Sequence, residues 1–270
     1  MTKKISKKQS RFWRYLGKAT LFIIKIPYYL IKGIIFLLIK MSKKNRENQI
    51  KNKRESIKPK YLPFKIIETL EGDYKDWFNK TIESDSQIGL VLGARGSGKT
   101  AFGVKLLENI YSKYKEKCFA IGFKSEEFPS WIKVVLDISE LENNSWVLID
   151  EGGVLFNSRS SMSNANKMLS KLIMIARHKN INILFISQNS SNLEVNILRQ
   201  ADFLAFKRSS LLQKEFERKI IQKIYSDIQT KFKKYEGDKG ATYLYSDKFR
   251  GFVSNPLPSF WKESISKSFK

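Results

Sequence analysis

Residues 88–103 read I-G-L-V-L-G-A-R-G-S-G-K-T-A-F-G: an apolar run, a glycine-rich loop and the start of a helical pattern. The glycines let the backbone fold tightly, so that several N–H groups point inward at a polyphosphate, and the following helix adds the positive end of its dipole. In this pattern Lys99 reaches the β and γ phosphates and the Thr100 hydroxyl binds Mg²⁺. The stretch therefore predicts a nucleoside triphosphate site. Its residues are Gly93, Ala94, Arg95, Gly96, Ser97, Gly98, Lys99, Thr100 and Ala101.

A pair of carboxylates follows a second apolar run. Residues 146–149 read W-V-L-I and end in Asp150 and Glu151. An Asp at the carboxyl end of a strand beside the phosphate loop can hold the hydration shell of Mg²⁺, and the next Glu can orient and deprotonate the water that attacks the γ phosphate. We therefore expect hydrolysis and not binding alone. The alternative is a pair of acids that starts an ordinary surface turn, since two glycines follow them.

A polar tip ends the next apolar run. Residues 181–186 are followed by Ser187, Gln188 and Asn189. If this strand lies between the loop strand and the acidic strand, its tip lies next to the nucleotide, and Gln188 can then contact the γ phosphate or the attacking water. The alternative for Gln188 is a capping or turn role at the start of a loop.

Apolar strands alternate with helical patterns from residue 61 to residue 270, which is typical of an α/β domain with a mainly parallel sheet covered by helices. The predicted strands are residues 88–92, 118–122, 146–149, 181–186 and 203–206. The predicted helices are residues 99–114, 165–177 and 211–232, and a terminal hairpin is predicted at residues 242–245 and 250–253. Helix 165–177 carries apolar residues that favour core packing.

The positive charge is concentrated in one part of the chain. The net charge is +24, and residues 1–60 carry 18 Lys and Arg against Glu47 and Glu55, which leaves +16 there and +8 for the rest. Such a bias favours an anionic partner, either a lipid surface or nucleic acid. The single Cys118 excludes an internal disulfide, and the single His178 leaves no His/Cys cluster for a structural metal. A reducing cytoplasmic location fits this composition.

The arm at residues 11–41 has the pattern of a membrane-seeking helix. Residues 19–39 are apolar except for Lys25, Pro27 and Lys32. Basic residues recur every seven positions and form one stripe on a helix, namely Arg11, Lys18, Lys25 and Lys32.

Two membrane placements of this helix remain open. A spanning helix places two lysines in the bilayer, whereas an interfacial helix lets them reach the headgroups. A buried helix or an oligomer contact is the third possibility. We therefore expect a peripheral or single-pass protein on the cytoplasmic side of a membrane. Residues 42–60 are dense in charge and predict a solvated linker or a charged helix extension.

The order of these features resembles one branch of the P-loop ATPases. Beside the glycine loop, the acidic pair and Gln188, the segment A-R-H-K-N at residues 176–180 precedes a strand, and N-I-L-R-Q-A-D follows at residues 196–202. This order resembles the HerA/FtsK branch, and within it the chain is similar to the Zot-like proteins (zonular occludens toxin N-terminal domain) and to viral genome-packaging ATPases. The likeness covers residues 85–207.

The resemblance implies a P-loop NTPase fold with an additional strand between the Walker A and Walker B strands. It also implies ATP and Mg²⁺, and a homo-oligomeric ring that moves double-stranded DNA or, among Zot-like proteins, assists virion assembly at a membrane. The membrane segment of Zot-like proteins usually follows the ATPase domain, whereas the apolar arm of this chain precedes it.

The resemblance also implies roles for single residues. Lys99 and Thr100 bind nucleotide and Mg²⁺, and Asp150 belongs to the metal shell. Glu151 is the catalytic base and Gln188 is the sensor. An arginine finger supplied to a neighbouring subunit would stabilise the transition state. The candidates for this finger, each equally explained as a surface or ion-pairing arginine, are Arg177, Arg199 and, third, Arg159.

Residues 211–234 predict a helix with one apolar side and one basic side. The basic side is either a solvated face or a surface that binds DNA phosphates independently of sequence.

Three functions are considered. The first function is a membrane-associated, Mg²⁺-dependent ATPase that translocates or packages double-stranded DNA. The second is an assembly or secretion ATPase that acts on a protein at the membrane. The third, a GTP-using membrane switch, lacks an N-K-x-D motif.

Overall fold

The computed structural model of the chain describes residues 7–152 and 162–267. The chain divides into two compact units, one up to Lys53 and the other from Arg54 onward. Helix α1 (Lys7–Ser56) contains nearly all of the first unit. The charged segment predicted at residues 42–60 is therefore a helix extension up to Ser56.

Helix α1 exposes a run of large apolar side chains. Among its described side chains, Ile34 and Phe36 are 57% and 65% exposed, and Met41 is 62% exposed. None of the helices within the described residues carries an apolar stretch long enough to cross a membrane.

The described part of the second unit forms one nine-stranded sheet with the order β1-β9-β8-β7-β2-β6-β5-β3-β4. Strands β2 to β7 run parallel to one another, and the pairs β7–β8, β8–β9 and β9–β1 at one side of the sheet are antiparallel. The strands are β1 (Lys65–Gly72), β2 (Ile88–Leu92), β3 (Lys117–Ile121), β4 (Ile132–Val135), β5 (Ser145–Asp150), β6 (Ile181–Ser187), β7 (Phe203–Phe206), β8 (Ala241–Ser246) and β9 (Phe249–Ser254).

The predicted α/β fold is confirmed. Strand β6 lies between β2, which leads into the glycine loop, and β5, which ends in the acidic pair, as the additional strand requires. The five predicted strands and the terminal hairpin form with nearly the predicted ends. The sequence analysis missed β1, β4 and the helices Tyr74–Glu83, Val195–Arg199 and Glu263–Ser266.

Helices cover both faces of the sheet. They are α2 (Tyr74–Glu83), α3 (Lys99–Tyr114), α4 (Met162–Lys179), α5 (Val195–Arg199), α6 (Leu211–Phe216), α7 (Lys219–Lys234) and α8 (Glu263–Ser266). Helix α3 packs in one core cluster and α4 packs in another, where Leu169, Leu172 and Ala176 are buried. Because both faces are covered, the central strands are continuously apolar. The prediction that helix 165–177 serves the core is confirmed.

The single helix predicted at residues 211–232 is wrong. The chain leaves the helical conformation at Glu217 and Arg218, whose ψ angles are 164° and 145°. Glu217 is buried and accepts hydrogen bonds from the backbone N–H of Ser190, at 2.7 Å, and from its hydroxyl. These bonds to a distant loop outweigh the local helical pattern.

One buried carboxylate on α3 fastens two distant segments of the second unit. Glu108 accepts from Lys105 Nζ at 2.8 Å, from the Lys60 N–H at 3.0 Å and from the Ser259 N–H at 3.0 Å, and the Ser259 hydroxyl also donates to it. Lys105 Nζ donates in addition to the Lys60 carbonyl at 2.9 Å. Both side chains of the ion pair are fully buried. The helix that follows the glycine loop is thus tied to both segments.

Candidate active site

The glycine loop joins β2 to α3 in the conformation that its sequence predicts. Gly96 has φ +75° and Gly98 has φ +91°, which is the left-handed region that favours glycine. Gly98 is the residue directly before α3, so the backbone turns there into the helix N-terminus. Lys99 Nζ folds back and donates to the carbonyls of Gly93 at 2.8 Å and Ala94 at 2.9 Å. The loop therefore surrounds an ammonium group at the start of a helix.

The Lys99 ammonium is poorly solvated. Its side chain is buried, and burial lowers the pKa of Lys99 to about 8, while the negative charges of Asp150 and Glu151 oppose this change. A desolvated cation interacts strongly with an anion that enters the same space. Lys99 is thus suited to exchange its two carbonyl acceptors for phosphate oxygens.

The two predicted carboxylates have different surroundings. Asp150 ends β5 and is partly exposed, and its Oδ1 accepts from the Gly152 N–H at 3.0 Å. Glu151 is buried, and its Oε2 accepts from Ser187 Oγ at 2.6 Å. Burial raises the pKa of Glu151, and hydrogen bonds from Ser187, the Asn192 side chain and the Gln188 backbone oppose this rise. Glu151 is therefore a fixed carboxylate with elevated proton affinity.

The register of β5 and β6 brings Ser187 to Glu151. Asp150 pairs with Ile186 in this register, so Glu151, directly after β5, lies beside Ser187, the last residue of β6. The sequence analysis gave no role to Ser187 or Asn192. Ser187 could have been found only with the strand order and the register, and Asn192 had no signal in the sequence.

Residues of the glycine loop and the acidic pair, Asp150 and Glu151, line one cavity of about 540 Å³. Gln188 lies in it with an exposed side chain, and its carbonyl accepts from Gln213 Nε2. Part of the wall comes from the C-terminal segment, to which the sequence analysis gave no function. The residues around the cavity are Arg95, Gly96, Gly98, Lys99, Thr100, Ala101, Gly122, Phe123, Asp150, Glu151, Gly152, Ile186, Gln188, Asn192, Trp261, Ile265, Ser266 and Lys267.

The cavity fits a magnesium nucleotide. Ser97 Oγ in the loop is buried, and within the described residues it has no hydrogen-bond partner, so a phosphate oxygen would satisfy it. Thr100 and Asp150 line the cavity and offer the oxygen ligands that Mg²⁺ prefers. No cluster of three or more His, Cys, Asp or Glu occurs among the described residues. A metal held by two protein oxygens together with phosphates and water agrees with this donor set.

The arginines predicted as fingers lie elsewhere. Arg177 on α4 and Arg199 on α5 are exposed, and neither lines the nucleotide cavity. Arg177 lines a separate cavity with Glu194. Arg159 lies outside the described residues.

A buried lysine, Lys207, packs against the glycine loop. Lys207 is fully buried, and its Nζ donates to Asn255 Oδ1 at 2.8 Å and to the Gly240 carbonyl at 3.0 Å. A Cβ atom at Gly93 would lie 2.6 Å from the Lys207 Cβ, and one at Gly98 would lie 3.6 Å from its Nζ. Lys207 therefore joins the loop to the hairpin.

We expect Lys207 to make the free energy of unfolding rise with pH between about pH 7 and pH 10.5. Burial lowers its pKa to about 7, opposed by the charge of Asp238, against an ordinary value of 10.5. Between these values the unfolded chain binds more protons, so the free energy of unfolding rises with pH, by up to about 1.4 kcal/mol per unit. Urea unfolding at pH 7, 8 and 9 should show this slope in the parent and in the exposed control Lys239→Met, and a smaller slope in Lys207→Met. Equal slopes in all three proteins would contradict the expectation.

Comparisons with known proteins identify one family and several solved structures to which the chain is similar. A family described as zonular occludens toxin (Zot) matches residues 103–239, half of the 270 residues. No curated protein sequence matches the chain. The chain is similar to the DNA-packaging ATPase B204 from Sulfolobus Turreted Icosahedral Virus, at 14% identity and a TM-score of 0.44 over 64% of this chain and 98% of that one.

Two further solved structures are similar at lower identity. EssC (ATPases 2 and 3) from Geobacillus thermodenitrificans has 10% identity and a TM-score of 0.43, over 70% of this chain and 43% of that one. The pCW3 conjugation coupling protein TcpA has 12% identity and a TM-score of 0.42, over 68% of this chain and 64% of that one.

Proposed function

The chain belongs to the zonular occludens toxin (Zot) family. From this premise we propose that it is a P-loop nucleoside triphosphatase, a Mg²⁺-dependent ATPase that moves double-stranded DNA at a membrane surface. One observation carries the hydrolytic part of the proposal. The glycine loop with Lys99, the partly exposed Asp150 and the buried Glu151 line a single cavity.

Each group of residues around the cavity has its own role in the proposed hydrolysis of ATP. The loop N–H groups and Lys99 bind the β and γ phosphates. Thr100 and Asp150 would hold Mg²⁺, which would neutralise charge on these phosphates. Glu151 accepts a proton from water, whose oxygen bonds to the γ phosphorus while the bond to the β–γ bridging oxygen breaks. The products are ADP and inorganic phosphate. Gln188 lies where it can contact the γ phosphate or the water.

Hydrogen bonds connect this reaction centre to helices α6 and α7. Gln213 on α6 donates to the Gln188 carbonyl, and Ser190 donates to Glu217 between the two helices. Arg218 Nε donates to the Ser190 carbonyl at 3.1 Å. A movement of Gln188 on loss of the γ phosphate would thus be transmitted to both helices through these hydrogen bonds.

Helix α7 supplies the surface that supports a nucleic-acid partner. Its buried side consists of Ile221, Ile224, Tyr225, Ile228 and Phe232. Its exposed side carries the lysines Lys219, Lys223, Lys233 and Lys234. Lysines on one helix face bind DNA phosphates by releasing counterions, and this contact does not depend on sequence.

The test is stimulation of ATP turnover by double-stranded DNA. We expect DNA to raise turnover in the full chain and in the control Lys113→Gln/Lys124→Gln, which removes two exposed lysines on other surfaces. Lys219→Gln/Lys223→Gln should weaken the stimulation and reduce the slope of log affinity against log salt by roughly 2. Turnover that is indifferent to DNA in all three proteins would exclude the DNA-moving function.

A second candidate, an assembly or secretion ATPase that acts on a protein, is favoured by the exposed apolar side chains of α1. We propose that the segment at residues 11–41 lies at the headgroup level of a membrane and that its lysines contact anionic lipid. The full chain should float with anionic liposomes, and the chain without residues 1–53 should not. Flotation without any DNA stimulation of turnover would favour this second candidate.

We also propose a homo-oligomeric ring. Arg177 and Arg199 are exposed and lie away from the cavity of their own subunit, as a finger that acts on a neighbouring subunit requires. Measurement of particle mass with ATP bound tests this assembly, and a persistent monomer would contradict it.

A further inference from the structure

The nucleotide cavity has an apolar wall that the hydrolytic machinery does not use. Trp261 and Ile265, from the C-terminal segment, line it together with Phe123, which follows β3. The glycine loop and the carboxylates account for the phosphates, the metal and the water. Phe123 and Ile265 belong to the buried core, against which Trp261 packs. Of the three, Trp261 is therefore the residue whose exposure to the cavity core packing does not explain.

We propose that Trp261 is the stacking platform for the nucleobase, with Phe123 and Ile265 completing the subsite. This proposal rests on the proposed function, because it assigns the base of the nucleotide whose phosphates the glycine loop binds. A nucleobase is planar and has a π face on each side, so an indole ring at the wall of the cavity is a suitable partner.

Packing within the domain holds this wall in place. Phe260 packs against Phe128 and Trp131, with ring centroids 6.1 Å and 5.5 Å apart, and Ile265 is only 1% exposed. Ser264 Oγ donates to Glu127 Oε2 at 2.8 Å. Residues on both sides of Trp261 are thus fixed to the domain, so the platform needs little ordering when a ligand arrives.

The Trp261 side chain is only partly buried, whereas Phe260 and Ile265 of the same segment are buried. A large aromatic ring exposed to a polar cavity gains by covering its remaining face. Ser266 and Lys267 line the same cavity. The Ser266 hydroxyl donates to the Glu263 carbonyl and can still accept from the ribose, and Lys267 Nζ donates to the Glu263 carboxylate and has two further protons for the ligand. The C-terminal segment therefore offers both an apolar face and polar groups to one end of the ligand.

The experiment compares ATP with inorganic tripolyphosphate, which has the phosphates but no base. Titration calorimetry of the full chain should show that Trp261→Ala weakens ATP binding about 10-fold or more and leaves tripolyphosphate binding unchanged, because stacking on an aromatic side chain contributes at this scale. Trp261→Phe should retain most of the ATP affinity. Tyr61→Ala removes a partly exposed aromatic outside the cavity and should change neither ligand.

A fluorescence measurement protects the test against loss of stability in the alanine variant. ATP should quench tryptophan emission of the parent, tripolyphosphate should quench it less, and the ATP-specific part should vanish in Trp261→Phe. Equal ATP binding by Trp261→Ala and the parent would overturn the proposal, as would equal binding of both ligands by the parent. If the parent binds neither ligand, the proposed ATPase function fails as well.

Discussion

Glu151→Gln is expected to lower the ATP turnover of the full chain at least about 100-fold and to leave ATP binding largely intact. The amide has the size of the carboxylate but cannot accept a proton from the attacking water. Because Ser187 and Asn192 hold the side chain in place, its position should change little. Steady-state phosphate release and equilibrium binding of ATP measure the two effects separately.

The matched control for this substitution is Glu126→Gln, which changes an exposed glutamate outside the cavity in the same way. It should hydrolyse ATP at the parent rate. Turnover by Glu151→Gln within a few-fold of the parent would remove Glu151 from the reaction, and loss of ATP binding would show that the residue supports the site and not the chemical step.

The second large effect is expected on stability. Glu108→Leu should lower the free energy of unfolding by about 3–5 kcal/mol, because it leaves the buried Lys105 ammonium without its carboxylate. It also removes the acceptor of the Lys60 and Ser259 N–H groups. Urea unfolding followed by circular dichroism measures the change.

A double substitution separates the ion pair from the other bonds. Lys105→Met/Glu108→Leu should be more stable than Glu108→Leu alone, since it buries no unpaired charge. The exposed pair of Lys117 and Glu142 is the control, and Glu142→Gln should cost less than about 1 kcal/mol. Additive effects of the Lys105 and Glu108 substitutions would argue against a coupled buried pair.

The parts of the fold that the sequence predicts are those with strong local patterns. Strands β2, β5 and β6 are continuous apolar runs because helices cover both faces of the sheet. Strand β1 was missed because its side chains are mostly exposed, and it is held by pairing with β9 from the far end of the chain. The break between α6 and α7 was missed for a related reason, since the partner of Glu217 is a loop 27 residues away.

The candidate site also has a part that the sequence predicts and a part that it does not. Lys99, Thr100, Asp150, Glu151 and Gln188 line one cavity, as their positions at the ends of neighbouring strands lead one to expect. Their catalytic roles stay predictions. Among the other contributors, Ser187 meets Glu151 through the strand register, and Asn192 and Trp261 reach the cavity through a loop and the C-terminal segment. Sequence order alone does not predict such contacts between distant segments.

The two segments that meet at Glu108 make the second unit a candidate for circular permutation. Lys60 and Ser259 donate to the same carboxylate, and Arg54 and Ser264 contact the adjacent residues Phe128 and Glu127. A short peptide could therefore join Lys267 to Arg54 with Trp261 retained, and new termini could be opened in an exposed turn. Such a rearranged protein would keep the helix of the glycine loop anchored on both sides. A fusion partner could then be attached away from Trp261, at a distance from the mouth of the cavity.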